Sequence, residues 1–299
     1  MISHTALKGL GVALITPFTE NDEVDYVALG RLIDYQVNSG IDYMVVLGTT
    51  GETPTLDEAE KAEITRFAVE RIAGRIPVVL GVGGNNTAAL VKRLQNDPLT
   101  GIDAILSVVP YYNKPSQEGI YQHYAAVAKA SPVPVIMYNV PGRTGVNMTP
   151  ELTLRLAKDF PDKLVAIQEA SGNLAQMETI IKDKPADFLV ISGDDGLAFP
   201  LITLGGAGVI SVIGNAFPYE FGRMVRLTLA GDYDNARAIH HQFLDLFNLL
   251  FVDGNPAGVK SMLNAMGYIE NKLRLPLVPT RITTYEKIRQ VLDGLNIKC

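Results

Sequence analysis

The sequence predicts an α/β protein of the (β/α)8 TIM barrel class with additional C-terminal helices. Eight short apolar runs recur along the first part of the chain, and amphipathic helical patterns lie between them. Beyond residue 230 helical periodicity continues without strands. Eight strand–helix units in roughly 220 residues is the count expected of this barrel. We therefore expect a barrel over residues 1–230 and a helical extension over 231–299 that packs on it.

The strands are predicted from short apolar runs that are bounded by turn-forming residues. They cover residues 10–15, 42–47, 76–81, 103–108, 133–138, 164–168, 187–192 and 207–212. A doubly wound parallel sheet would give a similar alternation, but it usually carries a glycine fingerprint after its first strand. That strand here ends in Ile15-Thr16-Pro17-Phe18, so the barrel is the better prediction.

Helices are predicted where apolar residues recur at helical spacing. The patterns cover residues 25–39, 57–73, 117–130, 150–159, 232–252, 256–266 and 284–294. Thr55 and Glu58 predict a capping box at the start of the second helix. Because no strand interrupts the last three helices, we expect them to form a covering layer or an oligomer surface.

Composition narrows the class of protein. Apolar residues make up 47% and charged residues 19% of the 299 residues, which is typical of a globular protein with a sizeable core. A net charge of −6 argues against nucleic acid or an anionic membrane as partner. Cys299 is the single cysteine, and no apolar stretch reaches the roughly 20 residues of a membrane span or resembles a signal peptide. We expect a cytoplasmic protein without an internal disulfide.

The second strand is followed by Gly48-Thr49-Thr50-Gly51. In a barrel the strands end at one face, where chemistry collects. Adjacent hydroxyls and free backbone N–H groups between glycines can bind a carboxylate. A helix cap is the alternative, but Thr55 is already predicted to cap the next helix. Thr49 and Thr50 are therefore candidates for a binding site.

Tyrosines and an arginine follow the fourth and fifth strands. Tyr111 and Tyr112 lie on a proline-bounded loop, where they could pack at the surface or relay a proton. Tyr138 ends its strand and should point into the barrel mouth. Arg143 follows on a turn, where it could anchor a carboxylate by bidentate pairing or be solvated.

The acidic and histidine residues do not predict a metal site. Asp194 and Asp195 are consecutive, so their side chains should diverge, and a helix start follows where acids act as caps. The four histidines lack the spacing of metal ligands: His4, His123, His240 and His241. We expect no catalytic metal and no cofactor.

Five motifs occur in order: GTTGET, PYYNKPSQEGIYQHY, YNVPGRTG, EASGN and SGDDGLAFPLITLGGAGVISV. Together they resemble the dihydrodipicolinate synthases, which belong to the pyruvate-dependent aldolase family that includes N-acetylneuraminate lyase. The resemblance runs from about residue 8 to the C-terminal helices. It implies a homotetramer of (β/α)8 subunits that condenses pyruvate with L-aspartate 4-semialdehyde to 4-hydroxy-tetrahydrodipicolinate. That reaction serves the diaminopimelate route to lysine.

The resemblance also assigns roles to residues. Those assigned to substrate binding are Thr49, Thr50, Arg143, Gly193 and Ile210. Those assigned to a proton relay are Tyr138, Thr50 and Tyr112. The paired threonines would bind the pyruvate carboxylate and the arginine the semialdehyde carboxylate. Gly193 and Ile210 would line the pocket through their backbones, and Tyr112 would reach in from the neighbouring subunit.

Gln168 departs from the family pattern. The family carries a lysine at the end of the sixth strand, in a motif like I-K-E-A-[ST]-G-N, whereas this chain reads Ile167-Gln168-Glu169. A lysine amine with a lowered pKa attacks the ketone of pyruvate and forms an imine. An amide nitrogen is neither basic nor nucleophilic, although it can donate a hydrogen bond to the ketone. We expect the pocket to form and to bind pyruvate without a covalent bond.

Other lysines are poorly placed to replace the missing amine. Lys163 precedes the sixth strand, at the opposite end of the barrel, and Lys260 lies on a C-terminal helix. Lys114 lies on the tyrosine loop and points away in the family pattern. We therefore expect no substitute nucleophile.

Three interpretations of Gln168 remain open. The lysine was replaced deliberately, or the chain is a natural variant that condenses its substrates slowly, or it is a non-catalytic homologue that binds a keto acid. The complete set of threonines, tyrosines and arginine favours the first two, since a sensor needs no proton relay. An N-acetylneuraminate-lyase-type aldolase with another aldehyde partner is the alternative enzyme.

Overall fold

Eight parallel strands close into a barrel in chain order, each paired with its sequence neighbours and the last with the first. The computed structural model describes residues 4–97 and 99–295. The strands β1 to β8 are Gly9–Ala13, Tyr43–Val46, Val78–Gly81, Ala104–Val108, Val135–Asn139, Leu164–Glu169, Leu189–Ser192 and Gly208–Ser211. The predicted barrel and all eight of its strands are confirmed.

Thirteen α-helices occur in the described residues. In chain order, α1 to α13 are Tyr26–Asn38, Glu58–Ile72, Thr87–Asn96, Gln117–Ala130, Pro141–Thr144, Pro150–Asp159, Leu174–Asp183, Asp195–Thr203, Pro218–Leu229, Tyr233–Gln242, Leu244–Phe251, Ala257–Ala265 and Ile282–Gly294. The pattern over 232–252 is therefore two helices, because the chain turns at Phe243.

The capping box of α2 lies two residues beyond the predicted one. Asp57 accepts a hydrogen bond from the Glu60 N–H, and the Glu60 side chain accepts from the Asp57 N–H. Thr55 instead donates its hydroxyl to the Glu52 carbonyl in a preceding 3-10 turn. The prediction for Thr55 and Glu58 was wrong because Asp57 offers the same reciprocal geometry directly before the helix.

Alternating side chains divide the barrel into two apolar layers. On β5, Ile136 and Tyr138 belong to the interior cluster, whereas Val135 and Met137 pack in the layer under the helices. Successive strand residues point to opposite faces, so this alternation is expected. The register places Tyr138 beside Gln168 and Gln168 beside Ile191. The end of β5 and the end of β6 therefore present side chains at the same level.

The C-terminal helices share the outer apolar layer of the barrel. Phe243 packs against Phe217 and Phe221 of α9 with ring centroids 5.4 and 5.8 Å apart, and Phe247 of α11 contacts Phe221 at 6.0 Å. No helix in the described ranges is long and apolar enough to cross a membrane. Cys299 lies outside the described residues.

Candidate active site

A cavity of about 370 Å³ opens at the carboxyl ends of the barrel strands. It is lined by residues at the ends of β1, β2, β4, β5, β6 and β8 and by the loops that follow several of these strands. Phe251 and Asn255, from the C-terminal helical region, complete one side. The cavity thus lies at the face where barrel enzymes carry their chemistry.

The structure brings most of the sequence-predicted site residues together. Those that line the cavity are Thr49, Thr50, Tyr138, Arg143, Gln168, Gly193 and Ile210. Tyr112 is absent from the lining. Its side chain is 88% exposed, and its backbone is left-handed with φ of 76°. Within one subunit, Tyr112 therefore points away from the cavity that the other residues form.

Thr49 and Thr50 lie in a 3-10 turn, Thr49–Gly51, that directly follows β2. The Gly51 carbonyl accepts a hydrogen bond of 2.7 Å from the Thr16 hydroxyl. The buried Thr50 hydroxyl accepts one of 3.0 Å from Asn255 Nδ2. The turn is therefore fixed to the loop after β1 on one side and to the C-terminal region on the other.

Tyr138 is a buried phenol at the end of β5. Burial raises the pKa of Tyr138 above its usual value, and a hydrogen bond from the Thr49 side chain and the charge of Arg143 oppose this only in part. The phenol is therefore protonated at neutral pH and can donate a proton or a hydrogen bond. The relay predicted from the resemblance pairs Tyr138 with Thr50, whereas here Thr49 bonds to Tyr138 and Asn255 to Thr50.

Gln168 lies on the barrel interior between Tyr138 and Ile191, and it is 5% exposed. Its buried Oε1 has no hydrogen-bond partner within the described part of the chain. A buried unpaired oxygen of this kind costs about 1–3 kcal/mol. A Cβ on Gly193 would lie 3.0 Å from Gln168 Nε2 and 2.7 Å from the Ala170 Cβ. Glycine at 193 therefore leaves the room that the amide occupies.

Glu169, the next residue on β6, points to the opposite side of the strand and is wholly buried. Its carboxylate accepts hydrogen bonds from Asn139 Nδ2 at 3.0 Å, Gln176 Nε2 at 2.9 Å and the Ser171 N–H at 2.8 Å. These bonds join the ends of β5 and β6 to the turn and to α7. They fix the backbone that presents Gln168. No role for Glu169 is predicted from the sequence.

Arg143 lies on the short helix α5, directly after β5. The side chain is exposed and lines the mouth of the cavity. An arginine in this position can form a bidentate pair with the carboxylate of an entering ligand.

The two aspartates after β7 have different roles. Asp194 caps α8 by accepting the Gly196 N–H at 2.8 Å, as predicted. Asp195 is buried and accepts the N–H groups of Val212 and Ile213 at 3.0 and 2.9 Å, so it links α8 to the loop after β8 rather than capping. Burial raises the pKa of Asp195 to about 6.

Histidines and acids form no metal cluster in the described residues. No group of three or more His, Cys, Asp or Glu side chains there could hold an ion. His123, for example, is buried on α4 and shares a hydrogen bond of 2.9 Å with Thr87.

Among the described residues, none that lines the cavity is a lysine. Lys163 Nζ donates to the Ser131 carbonyl at 2.9 Å, before the start of β6 and thus at the amino ends of the strands. Lys260 is wholly buried in an ion pair with Glu52. The aliphatic part of Lys114 lies beside Gly145. The cavity therefore presents an amide where the family pattern has an amine.

Asn255 and Phe251 are site residues that sequence reasoning missed. In the sequence, Gly254-Asn255-Pro256 only separates two helical patterns. An asparagine between glycine and proline is a common turn, so nothing local distinguishes it from a linker. Its amide lies against Thr50 only because the C-terminal region folds back over the barrel mouth.

The sequence matches the dihydrodipicolinate synthetase family over residues 6–295. A relative from Parabacteroides distasonis, named 4-hydroxy-tetrahydrodipicolinate synthase, is 71% identical over 98% of each chain. The chain belongs to the dihydrodipicolinate synthetase family. The synthase activity for which these relatives are named is that of a lyase.

Solved structures of dihydrodipicolinate synthases have the same fold. The crystal structure from Aquifex aeolicus is 43% identical, with a TM-score of 0.93 over 97% of this chain and 98% of that one. A structure described as a monomeric variant of the synthase is 40% identical, with a TM-score of 0.93 over 97% of both chains. The dihydrodipicolinate synthase fold therefore extends over nearly the whole chain, including the C-terminal helices.

Proposed function

We propose that this chain condenses pyruvate with L-aspartate 4-semialdehyde to 4-hydroxy-tetrahydrodipicolinate, at a rate limited by Gln168. The observation that carries the proposal is the convergence of Thr49, Tyr138 and Arg143 on one cavity around the end of β6. Hydroxyls for one carboxylate, a guanidinium for another and a buried phenol for proton transfer are what two carboxylate-bearing reactants require.

The proposed roles of the residues follow from their positions. Thr49 and Thr50 bind the pyruvate carboxylate, and Gly193 and Ile210 line the pocket beside it. Arg143, at the mouth, holds the carboxylate of the semialdehyde.

Proton transfer is assigned to Tyr138, Thr50 and Tyr112. Tyr112 points away from its own cavity, so in this proposal it serves the cavity of a neighbouring subunit. The assembly we propose is a homotetramer, built as a dimer of dimers, in the cytoplasm. Sedimentation at several concentrations measures the assembly, and a chain that stays monomeric throughout would contradict this part.

Gln168 determines how the reaction proceeds. A lysine would form an imine, whose positive charge draws electrons from the methyl C–H bond. The amide can only donate a hydrogen bond to the ketone oxygen and so stabilises the developing enolate more weakly. Tyr138 donates its proton to the ketone oxygen and then takes up the methyl proton, which leaves pyruvate as its enol. The enol carbon attacks the aldehyde carbon, and the enol proton passes to the aldehyde oxygen. The amine of the semialdehyde then condenses with the ketone and releases water, which closes the ring. Turnover without the covalent step is expected to be slow.

A coupled assay of the chain beside its Gln168→Lys variant tests the proposal. We expect the variant to turn over at least about a hundredfold faster with pyruvate and the semialdehyde, the lower limit of what a catalytic group contributes. The matched control is Gln122→Lys, the same change on the exposed face of α4, which should leave the rate unchanged. An inert Gln168→Lys variant that still binds pyruvate would favour the non-catalytic keto-acid-binding protein. A variant active only with other aldehydes would favour the N-acetylneuraminate-lyase type.

A further inference from the structure

Glu52 and Lys260 form an ion pair that is wholly buried on both sides. Lys260 Nζ also donates to the Lys272 carbonyl at 2.9 Å and lies 4.3 Å from the centre of the Phe18 ring. The second carboxylate oxygen of Glu52 accepts a hydrogen bond of 3.2 Å from the backbone N–H of Arg274. The pair joins the turn after β2 to helix α12 and to the segment that follows it, yet it lies outside the chemistry described above.

The backbone of Glu52 is unusual for a glutamate. It has a left-handed φ of 55° and directly follows the Thr49–Gly51 turn. Glycine or asparagine is favoured at such positions, and other residues are strained there. A glycine would relieve the backbone but would provide no carboxylate for Lys260. The side chain at position 52 therefore has a role that outweighs the backbone cost.

A second bond connects the same two parts of the chain. Asn255 Nδ2 donates to Thr50 Oγ1 at 3.0 Å, and Asn255 lies just before α12, which carries Lys260. Since the Thr50 oxygen accepts this bond, its own O–H is free to point elsewhere. The C-terminal region thus holds the turn at Thr50 and again at Glu52.

We propose that the buried Glu52–Lys260 ion pair is a positioning device that holds the Thr49–Gly51 turn in the geometry needed to bind a carboxylate. Buried ion pairs can often be replaced by apolar residues with little loss of global stability. A pair of this kind therefore serves to select one local conformation. The part of the proposal that concerns pyruvate rests on the proposed function, whereas the order of the turn does not.

The charges around Lys260 support a role near neutral pH. Burial lowers the pKa of Lys260 to about 8, while the Glu52 carboxylate acts in the opposite direction. The other nearby charge is Arg274, which lowers the pKa further and is itself paired with Glu60. Lys260 is thus mostly protonated at pH 7 and loses its charge as the pH rises through about 8.

The first test measures amide hydrogen exchange in the double variant Glu52→Gln/Lys260→Met, which removes both charges and keeps the side-chain lengths. We expect the segment 48–53 to exchange at least about tenfold faster than in the parent, with the barrel strands unchanged. The matched control is Lys163→Met, which removes a lysine bonded to a carbonyl at the other end of the barrel. Parental protection of segment 48–53 in the double variant would overturn the proposal.

The second test measures the affinity for pyruvate by calorimetry. The folded double variant should bind pyruvate at least about fivefold more weakly than the parent, about 1 kcal/mol, while Lys163→Met binds as the parent does. Equal affinity of double variant and parent would overturn the link to carboxylate binding. A parent that does not bind pyruvate would refute the proposed function, and the exchange test would still decide the positioning role.

If the double variant does not fold, hydrogen exchange of the unmodified chain over a series of pH values replaces it as the test. Protection of segment 48–53, corrected for the intrinsic exchange rate, should fall between pH 7 and pH 9.5 as Lys260 loses its proton. Constant protection over this range would contradict the proposal.

Discussion

Gln168 shows how much of a site can survive the loss of one functional group. The amide lies where the register of β5, β6 and β7 places it, between Tyr138 and Ile191. Its shape resembles that of the first part of a lysine side chain, so the wall of the cavity is preserved. What changes is the chemistry, because an amide lone pair is delocalised into the carbonyl. The cavity should bind its keto acid without forming a bond to it.

The absence of an amine can be tested by reduction. Treatment of the parent with borohydride and pyruvate should give no covalent adduct, since no lysine in the described part of the chain lines the cavity. The Gln168→Lys variant should give an adduct at position 168, because its amine can form a reducible imine. Mass spectrometry of the digested protein makes the measurement. A stable adduct on any lysine of the parent, including Lys260, would contradict the prediction.

Arg143 provides a second test at the residue scale. Removal of one partner of a charged hydrogen bond costs about 1.5–3 kcal/mol, or roughly ten- to a hundredfold in affinity. In the Gln168→Lys background, Arg143→Ala should raise KM for the semialdehyde by this factor and change KM for pyruvate much less. Steady-state kinetics with each substrate varied in turn separates the two. Equal increases would assign the arginine to another task.

Seven of the eight candidate residues named from the sequence line the cavity. Thr49, Thr50, Tyr138 and Arg143 follow from strand ends and their loops, which are local patterns. The other three, Gln168, Gly193 and Ile210, follow from the family resemblance. Asn255 could not be found in this way, since its partner Thr50 is 205 positions away. The same limit applies to Lys260, whose partner Glu52 lies on another element. Contacts between distant segments depend on how elements pack, and no pattern within a short window reports them.

At the scale of elements, Asp195 fixes the start of α8 to the loop after β8. Local reasoning predicted two capping acids, and this is correct for Asp194 alone. In the folded chain, the Asp195 carboxylate replaces solvent for two backbone N–H groups. Helix α8 and strand β8 are thereby joined at the side of the cavity lined by Gly193 and Val212.

The raised pKa of Asp195 predicts a pH dependence of stability. The pKa of an unfolded aspartate is about 4, whereas burial raises the pKa of Asp195 in the folded chain to about 6. Between these values the folded state holds a proton that the unfolded state has released, so this group contributes less stability as the pH rises from about 4 to about 6. Asparagine cannot titrate. The Tm of Asp195→Asn minus the Tm of the parent should therefore be higher at pH 7 than at pH 4.5.

Calorimetric scans of both proteins at the two pH values make this measurement. The comparison is relative, so any constant loss from replacing a carboxylate oxygen by an amide cancels. A difference in Tm that is the same at pH 4.5 and pH 7 would contradict the prediction.

At the scale of the whole molecule, the exposed Tyr112 raises the question of where its phenol acts. Mixed assemblies provide an answer. The parent contributes Tyr112 without a lysine, and the variant Gln168→Lys/Tyr112→Phe contributes the lysine without the phenol hydroxyl. If Tyr112 acts across an interface, unfolding and refolding the two together should give hybrids more active than either protein alone.

The reason is geometric: the lysine introduced at position 168 of one subunit would meet the Tyr112 of its neighbour. Coupled assays of the mixture and of each protein alone make the measurement. The control is a mixture of the parent with Tyr112→Phe, which contains no lysine at 168 and should show no gain. Activity of the first mixture equal to the sum of its components would contradict a role of Tyr112 across an interface.

The bond between Asn255 and Thr50 also bears on how the protein is made. A ribosome delivers Thr50 to solvent long before Asn255, and the strands in between can begin to pair during that interval. Until the late segment arrives, water must occupy its place beside the threonine hydroxyl. A nascent barrel can thus be largely assembled while this cavity is still unfinished, and the ability to bind a small molecule there should appear only near the end of translation.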